Sequence, residues 1–193
     1  MSKSKTFTVR YKRKAEGKTD YKKRLNYIKS KKPRVVVRLS LKNTLIQIVK
    51  FHEDGDKILF STSSRELNKY GWKAFRGNIP AAYLTGLLCG VKIKEKIKEA
   101  IVDFGLSSVI AKSRLYAVLK GLLDAGIKIK VPEEVLPSEN SLSGKIISDY
   151  ASKLAKDKEA YEKQFSAYIK NQLKPEDLPK HFEEVKSKII KGD

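Results

Sequence analysis

The sequence predicts an α/β domain in which helices pack on a mixed sheet, with a basic arm before it and a helical extension after it. Three observations predict this class. Three segments rich in β-branched residues lie within residues 34–63 and are joined by short polar connections. An α-β-α-β pattern follows and predicts a parallel crossover. After residue 132 the sequence predicts short, highly charged helical segments. We therefore expect an antiparallel three-strand meander followed by α-β-α-β in one sheet.

Residues 1–32 are predicted to form a basic arm that ends in a short helix. Before Thr19 the chain is cationic and has no hydrophobic period. Thr19 and Asp20 offer an N-cap for the segment YKKRLNYIKS. Its apolar residues fall on one helical face and are Tyr21, Leu25 and Ile28.

Residues 33–131 are predicted to form the core domain. RVVVRLS, TLIQIVKF and KILFSTS are the three strands of the meander, and HEDGD supplies a turn. SSRELNKYG predicts a short helix that Ser64 caps and Gly71 ends. Asn78 then caps a long helix through IPAAYLTGLLCGVKIKEKIKE, with Pro80 in its first turn.

The same domain continues with a strand, a helix and a second strand. AIVDFG predicts a buried strand, and RLYAVLKGLLDAG predicts a helix that begins after Ser113 and ends at Gly126. The helix carries an apolar stripe formed by Leu115, Val118, Leu119 and Leu122. IKIKV alternates and predicts the returning parallel strand.

Residues 132–193 are predicted to form a C-terminal extension behind a linker with two prolines. Helical segments are expected at 144–154, 157–171 and 178–190. Their apolar faces are Phe165, Tyr168 and Ile169, and Phe182, Val185 and Ile189. Because such short helices support no core alone, we expect them to dock on the domain or on a partner.

Composition limits the classes of function. The 193 residues carry a formal net charge of +20, which attracts polyanions, with nucleic acid the first candidate and an anionic membrane surface the second. Cys89 is the sole cysteine and the two histidines lie far apart, so neither a disulfide framework nor a metal site is expected. No apolar run is long enough to span a bilayer. We expect a soluble cytoplasmic protein.

Several motifs have a structural and a functional interpretation. DFG at 103–105 lacks the other kinase signatures, so Asp103 should end a strand and Gly105 should make the turn. Gly86 and Gly90 should let their helix lie close on the sheet. The acidic residues in HEDGD should form a solvated turn, and no set of convergent carboxylates indicates a nuclease. No enzyme and no cofactor is expected.

The N-terminal charge favours RNA or DNA. Cations alternate with Tyr11 and Tyr21, whose rings can stack on unpaired bases. The arm lacks the apolar content to fold alone and can become ordered on phosphates. A membrane would require a broader apolar helix face than this helix offers.

Four segments together resemble the L18 family of large-subunit ribosomal proteins, in its archaeal form, over nearly the whole chain. They are GKTDYKKRLNYIKSKKPRVVVR, YGWKAFRGNIPAAYLTGLLCG, AIVDFGL and PEDLPKHFEEVKSKII. The resemblance implies a mixed α/β protein that binds 5S rRNA and helps anchor it to large-subunit rRNA in the central protuberance, beside neighbouring ribosomal proteins. The loops depart from the family pattern at residues 30–33, at 40–43 and at Lys112.

The charge pattern and the resemblance together give a set of expected RNA contacts. They are Arg10, Tyr11, Lys12, Arg13, Lys14, Lys18, Tyr21, Lys22, Arg24, Lys31, Lys32, Arg34, Arg38, Lys42, Asn43, Lys112 and Arg114. Arg34 and Arg38 are expected on the same side of their strand. A non-ribosomal RNA-processing or chaperone factor with the same basic arm remains the alternative.

Overall fold

The computed structural model describes residues 8–192 and contains one four-stranded mixed sheet. Its strands are β1 (Arg34–Leu39), β2 (Thr44–Lys50), β3 (Lys57–Ser63) and β4 (Ile101–Asp103). The strand order is β3-β2-β1-β4, with β1–β2 and β2–β3 antiparallel and β4 parallel to β1. The predicted fold class is confirmed, and the meander forms as expected.

The predicted returning strand at IKIKV is reduced to a single parallel bridge between Glu99 and Lys128. Two backbone hydrogen bonds hold it there, from Ala100 N–H to the Lys128 carbonyl and from Lys128 N–H to the Lys98 carbonyl. β4 has only three residues, so it offers a short edge for a fifth strand. The prediction of a full strand was wrong, although Ile127 is buried as a strand residue of the core would be.

Two helices cover one face of the sheet. They are α3 (Ile79–Ile93) and α4 (Arg114–Asp124). The Asn78 side chain accepts the Ala81 N–H at 2.9 Å, which confirms the predicted cap, although α3 ends earlier than its charged tail suggested. All four residues of the predicted α4 stripe are buried, as is nearly all of α3. The core lies between these helices and the inward side chains of β1 and β2.

The paired glycines of α3 face α4 and not the sheet. A Cβ at Gly86 would lie 2.2 Å from the carbonyl oxygen of Val118, and one at Gly90 would lie 2.4 Å from the Cβ of Ala125. Gly121 of α4 is equally close to α3, because a Cβ there would lie 2.3 Å from the carbonyl oxygen of Tyr83. The predicted close approach is present, but it is made between two helices.

Residues Ser64–Tyr70 form a 3-10 helix after β3, and its cap differs from the prediction. Ser63 is the N-cap and forms a capping box with Glu66. The Ser64 hydroxyl is buried and accepts the Thr44 N–H at 3.1 Å. Gly71 adopts a φ of 85° and ends the helix as predicted.

The C-terminal extension contains four helices in the part of the chain that the structure describes. They are α5 (Glu139–Leu142), α6 (Lys145–Leu154), α7 (Lys158–Lys170) and α8 (Leu178–Lys191), with 3-10 turns at Glu133–Val135 and Pro175–Asp177. Phe165, Phe182, Val185 and Ile189 join the same hydrophobic core as α3. The extension therefore docks on the domain itself. Ile169 departs from the predicted apolar face, because 45% of it is exposed.

Two short helices precede the sheet, α1 (Lys12–Ala15) and α2 (Tyr21–Lys29). The first is a single turn inside the predicted arm. The limits at 32/33 and 131/132 between arm, core and extension stay predictions. No helix within residues 8–192 is long and apolar enough to cross a membrane.

Candidate nucleic-acid interface

A basic cleft lies on the face of the sheet that α3 leaves uncovered. Side chains alternate along a strand, so Arg34, Val36 and Arg38 of β1 point into this cleft while Val35 and Val37 face the core. The arm and α2 form one wall and the loop after β4 forms another. We call this the α2 cleft; its lining includes Arg13, Lys18, Lys23, Arg24, Tyr27, Arg34, Arg38, Gln47, Asp56, Asp103 and Gly105.

The helix α2 begins as predicted but packs on a different face. The Asp20 carboxylate accepts the N–H groups of Lys22 and Lys23 at 3.0 and 3.2 Å, which confirms the cap. Leu25, expected to be packed, is 52% exposed. Tyr27 and Arg24 face the cleft instead. No residue of α2 is fully buried, so apolar packing alone does not hold this helix on the sheet.

An ion-pair network holds α2 in place. Arg24 donates to both carboxylate oxygens of Asp56, at 2.9 and 3.1 Å. Arg34 donates to Asp56 at 2.6 Å and to Asp103 at 2.9 Å. The Arg34 guanidinium carbon also lies 5.8 Å from the centre of the Tyr27 ring. These contacts join α2, the β2–β3 turn, β1 and the end of β4.

The network changes the electrostatics of its members. Partial burial by itself would raise the pKa of Asp56, but hydrogen bonds from Arg24 and Arg34 outweigh it and hold that pKa below its ordinary value. Burial, with the nearby carboxylate of Asp103, raises the pKa of Tyr27. Asp56 is thus an anion that neutralises two arginines, and the expectation of a solvated turn holds only for Glu53 and Asp54, which are exposed.

Arg34 and Arg24 face protein carboxylates. The side chain of Arg34 is only 9% exposed, so its guanidinium is committed to Asp56 and Asp103. Asp103 also accepts the Gly105 N–H at 2.8 Å, where Gly105 turns with a φ of 62°. The predicted strand end and turn at DFG are therefore confirmed.

The cations and rings of the arm are exposed beside the cleft. Arg13 donates from Nε to the Thr19 hydroxyl at 2.9 Å, and this bond closes the arm onto the start of α2. The rings of Tyr11 and Tyr21 lie 5.1 Å apart at 42°. Lys18 pairs with Glu16 at 2.8 Å. The predicted contacts that are simply solvent-exposed here are Arg10, Lys12, Lys14 and Lys22.

Two loops and strand β1 carry further predicted contacts. Lys31 and Lys112 both have positive φ, at 55° and 59°, and Lys32 pairs with Glu99. The Lys112 N–H donates to the Val135 carbonyl at 2.8 Å. Arg38 lies against the turn at Gly105, where a Cβ would come within 2.9 Å of its guanidinium.

The β1–β2 turn lies apart from the arm. Arg114 donates to the carbonyl oxygens of Ser40 and Gly77, at 3.1 and 2.9 Å, and so ties this turn to the loop before α3. The Asn43 N–H donates to the Ser40 hydroxyl at 2.9 Å. Lys42 is exposed at the tip. The seventeen predicted contacts are thus divided between the α2 cleft with its neighbouring loops and this turn.

Sequence reasoning missed three residues of the cleft that the structure brings together. Lys23 carries the same charge signal as its neighbour Lys22. Tyr27 is interleaved with cations in the same way as Tyr21. Asp56 gave no local signal, because its partners lie 22 and 32 residues away in the chain.

The described part of the chain offers little to support catalysis. Within residues 8–192, no group of three or more His, Cys, Asp and Glu side chains could hold a metal ion. Cys89 is buried, and burial raises the pKa of its thiol to about 12, so it is protonated at neutral pH.

Comparisons with known proteins match this chain to proteins of the large ribosomal subunit. A family model described as "Ribosomal large subunit proteins 60S L5, and 50S L18" matches residues 5–101. The chain is also similar to a large ribosomal subunit protein uL18 from Methanococcus maripaludis, with 48% identity over 185 residues. That similarity covers 95% of this chain and 96% of the relative, so it includes the C-terminal extension.

Proposed function

We propose that this chain, which belongs to the family of large-subunit ribosomal proteins 60S L5 and 50S L18, binds 5S rRNA and helps attach it to large-subunit rRNA in the central protuberance. Family membership makes the chain a structural component of the large ribosomal subunit, of archaeal type, and not an enzyme. It also sets aside the alternative of a non-ribosomal processing factor. The RNA partner and its place on the chain are the proposal.

The observation that carries the proposal is the α2 cleft. Its walls are lined by six arginines and lysines and by three aspartates. Asp56 and Asp103 are already neutralised by Arg24 and Arg34, and Asp20 caps α2. The outward cations of the arm, α2 and Arg38 are therefore left to attract phosphates.

Within this cleft we assign two roles. Arg24 and Arg34 hold α2 on the sheet, and the exposed cations of the arm and α2 contact phosphates. Tyr11 is 71% exposed beside Tyr21, so it can stack on an unpaired base. Phosphate contacts fix position, and stacking adds preference for particular unpaired nucleotides.

The charge pattern of the cleft suits a folded RNA better than a flexible one. α2 and the sheet are joined by the partly buried arginine network, so the cations on them keep fixed spacings. A fixed array of donors favours a partner whose phosphates are also fixed, because less conformational entropy is lost on binding.

The test is equilibrium binding of the full chain to fluorescently labelled 5S rRNA in the presence of excess transfer RNA. We expect a 1:1 complex that survives about a hundredfold mass excess of transfer RNA, since specific nucleic-acid complexes are typically 10³-fold or more tighter than non-specific ones. Equal competition by transfer RNA and unlabelled 5S rRNA would show that the cleft is only a polyanion tether.

A further inference from the structure

A second concave surface lies beside the β1–β2 turn, where residues 72–76 meet the C-terminal end of α7. We call it the Lys73 surface; its charged members are Lys42, Lys73, Arg76 and Lys170, and its aromatic members are Phe75 and the buried Trp72. Within residues 8–192, no acidic side chain lines this depression and none of its four cations forms an ion pair. Unlike the α2 cleft, it therefore has no internal counter-charge, which favours an anionic ligand.

The two surfaces are separate. Their linings share no residue. The α2 cleft follows β1 from Arg34 to Arg38 on the face of the sheet that α3 leaves uncovered, whereas Lys42 lies in the turn after this strand.

The backbone at Lys73 is held by the C-terminal extension from two sides. Its N–H donates to Nε2 of His181 on α8 at 3.1 Å, and its carbonyl accepts the side-chain amide of Asn171 at 2.7 Å. The His181 ring also stacks on Trp72, with centroids 5.2 Å apart. The loop that carries the cations is thus fixed before any ligand arrives, which lowers the cost of binding.

The β1–β2 turn is fixed to the same loop. The Arg114 guanidinium bridges Ser40 and Gly77. A Cβ at Gly77 would lie 2.6 Å from the Leu41 carbonyl oxygen and 2.7 Å from the Phe75 ring. A glycine is needed for this close approach, which keeps Lys42 and Phe75 on one surface.

The aromatic ring decides between the possible anions. Phe75 is 39% exposed among the cations. Cations around an exposed ring suit the phosphates and an unpaired base of RNA, whereas an acidic peptide gains little from the ring. We propose that the Lys73 surface binds a second, single-stranded or loop RNA segment, distinct from the RNA in the α2 cleft. If that cleft holds 5S rRNA, on which the full proposal rests, the chain bridges two RNA segments and its C-terminal extension forms one wall of the second site.

The test uses the full chain and a variant that removes three of the four cations, Lys73→Ala, Arg76→Ala and Lys170→Ala. Lys42 is kept because the sequence already predicts it as an RNA contact. The chain is first titrated with 5S rRNA, and the saturated complex is then titrated with a fluorescein-labelled oligouridylate of about twelve nucleotides, long enough for one single-strand site. Losing three phosphate contacts on single-stranded RNA should lower the slope of log affinity against log salt concentration by about two. At 0.1 M salt this corresponds to a roughly hundredfold loss of affinity. We expect that loss for the oligouridylate and no change for 5S rRNA.

A control variant removes the same charge from α6 and the turn after it. Lys145→Ala, Lys153→Ala and Lys156→Ala change three exposed lysines that lie outside both surfaces. This control should keep oligouridylate binding within about twofold. Phe75→Leu, which keeps apolar bulk, should lower oligouridylate affinity about tenfold, because it removes stacking.

Three results would overturn the proposal. In the first, the two triple variants lose oligouridylate affinity equally, so that only net charge matters. In the second, the Lys73-surface variant loses 5S rRNA in parallel, so that the surfaces are one site. In the third, polyglutamate of matched charge displaces the oligouridylate as well as RNA does, which would assign the surface to an acidic protein. If the chain does not bind 5S rRNA at all, no complex forms in the first titration, and this failure is seen separately. Oligouridylate affinity is then compared between the unchanged chain and its variants without 5S rRNA.

Discussion

Asp56 gives a test in which two physical effects have opposite signs. The change Asp56→Asn removes one negative charge from a chain whose formal net charge is already +20. If the protein bound RNA through net charge alone, every RNA would bind more tightly. If Asp56 holds α2 on the sheet, 5S rRNA should bind more weakly, because the cations of α2 lose their fixed position.

The structure sets the size of the effect on stability. The Asp56 carboxylate accepts three hydrogen bonds from two arginines, and a hydrogen bond to a charged group contributes about 1.5–3 kcal/mol. Asparagine keeps one acceptor oxygen, and Arg34 keeps its bond to Asp103. The side chain of Asp56 is 23% exposed, which weakens the loss further. We expect a decrease of about 2–3 kcal/mol in the free energy of unfolding, or about 4–12 °C in Tm for a chain of this length.

The assays are thermal unfolding and competition binding to 5S rRNA. Loosening α2 should weaken 5S rRNA binding about tenfold, or 1.4 kcal/mol, at a temperature where the variant is still folded. The control is Asp54→Asn in the same turn, since its side chain is 92% exposed and the charge change is identical. It should keep Tm and bind RNA as tightly as the unchanged protein or slightly more so. If Asp56→Asn and Asp54→Asn bind 5S rRNA alike, the positioning role of Asp56 is refuted.

Salt, ring chemistry, pH and helix packing give four further tests. Affinity for 5S rRNA should fall by about 10³-fold between 50 and 200 mM salt if about six phosphates are neutralised; a flat dependence in a filter-binding assay would contradict this. Tyr11→Leu should weaken 5S rRNA binding by about 1–3 kcal/mol where the ring stacks but leave transfer RNA binding unchanged. Equal losses of affinity for both RNAs would show that the arm acts only as a non-specific electrostatic tether. Burial lowers the pKa of His181 below 6.5, helped by Lys73 and Lys188 and opposed by Glu184. The contribution of neutral His181 to the free energy of unfolding should therefore be complete above pH 6.5. It should decrease as the pH falls through the lowered pKa. Urea unfolding of the unchanged protein and His181→Gln should show this extra acid sensitivity only with the histidine present. Gly86→Ala should cost about 3 kcal/mol, because its Cβ would meet the Val118 carbonyl oxygen at 2.2 Å, and a urea midpoint equal to that of the unchanged protein would contradict the packing.

The elements that local chemistry specifies could be predicted from the sequence. Asn78 before Pro80 marked the start of α3, and Asp20 marked the start of α2, because each cap satisfies N–H groups within its own turn. The three β-branched segments gave the meander for the same reason, since alternation is a property of the strand itself. The buried stripe of α4 likewise needed only helical periodicity.

What could not be predicted depends on contacts that are distant in the chain. Asp56 has no sequence feature that separates it from Asp54, yet only Asp56 reaches Arg24 and Arg34. Leu25 was placed on a packed face by periodicity, but α2 docks through charged and aromatic side chains instead. The Lys73 surface is built by three segments, and two of them meet only because α7 and α8 pack back on the domain.

Hydroxyl-radical footprinting of 5S rRNA, with the full chain and with a Lys22→Ala, Lys23→Ala variant, tests the α2 cleft most directly. We expect a discrete set of protected nucleotides at a 1:1 ratio, with part of that set lost in the variant and none of it lost when Lys73, Arg76 and Lys170 are replaced. Diffuse protection across the whole RNA, or the same footprint with and without the two α2 lysines, would contradict a 5S rRNA site in the α2 cleft.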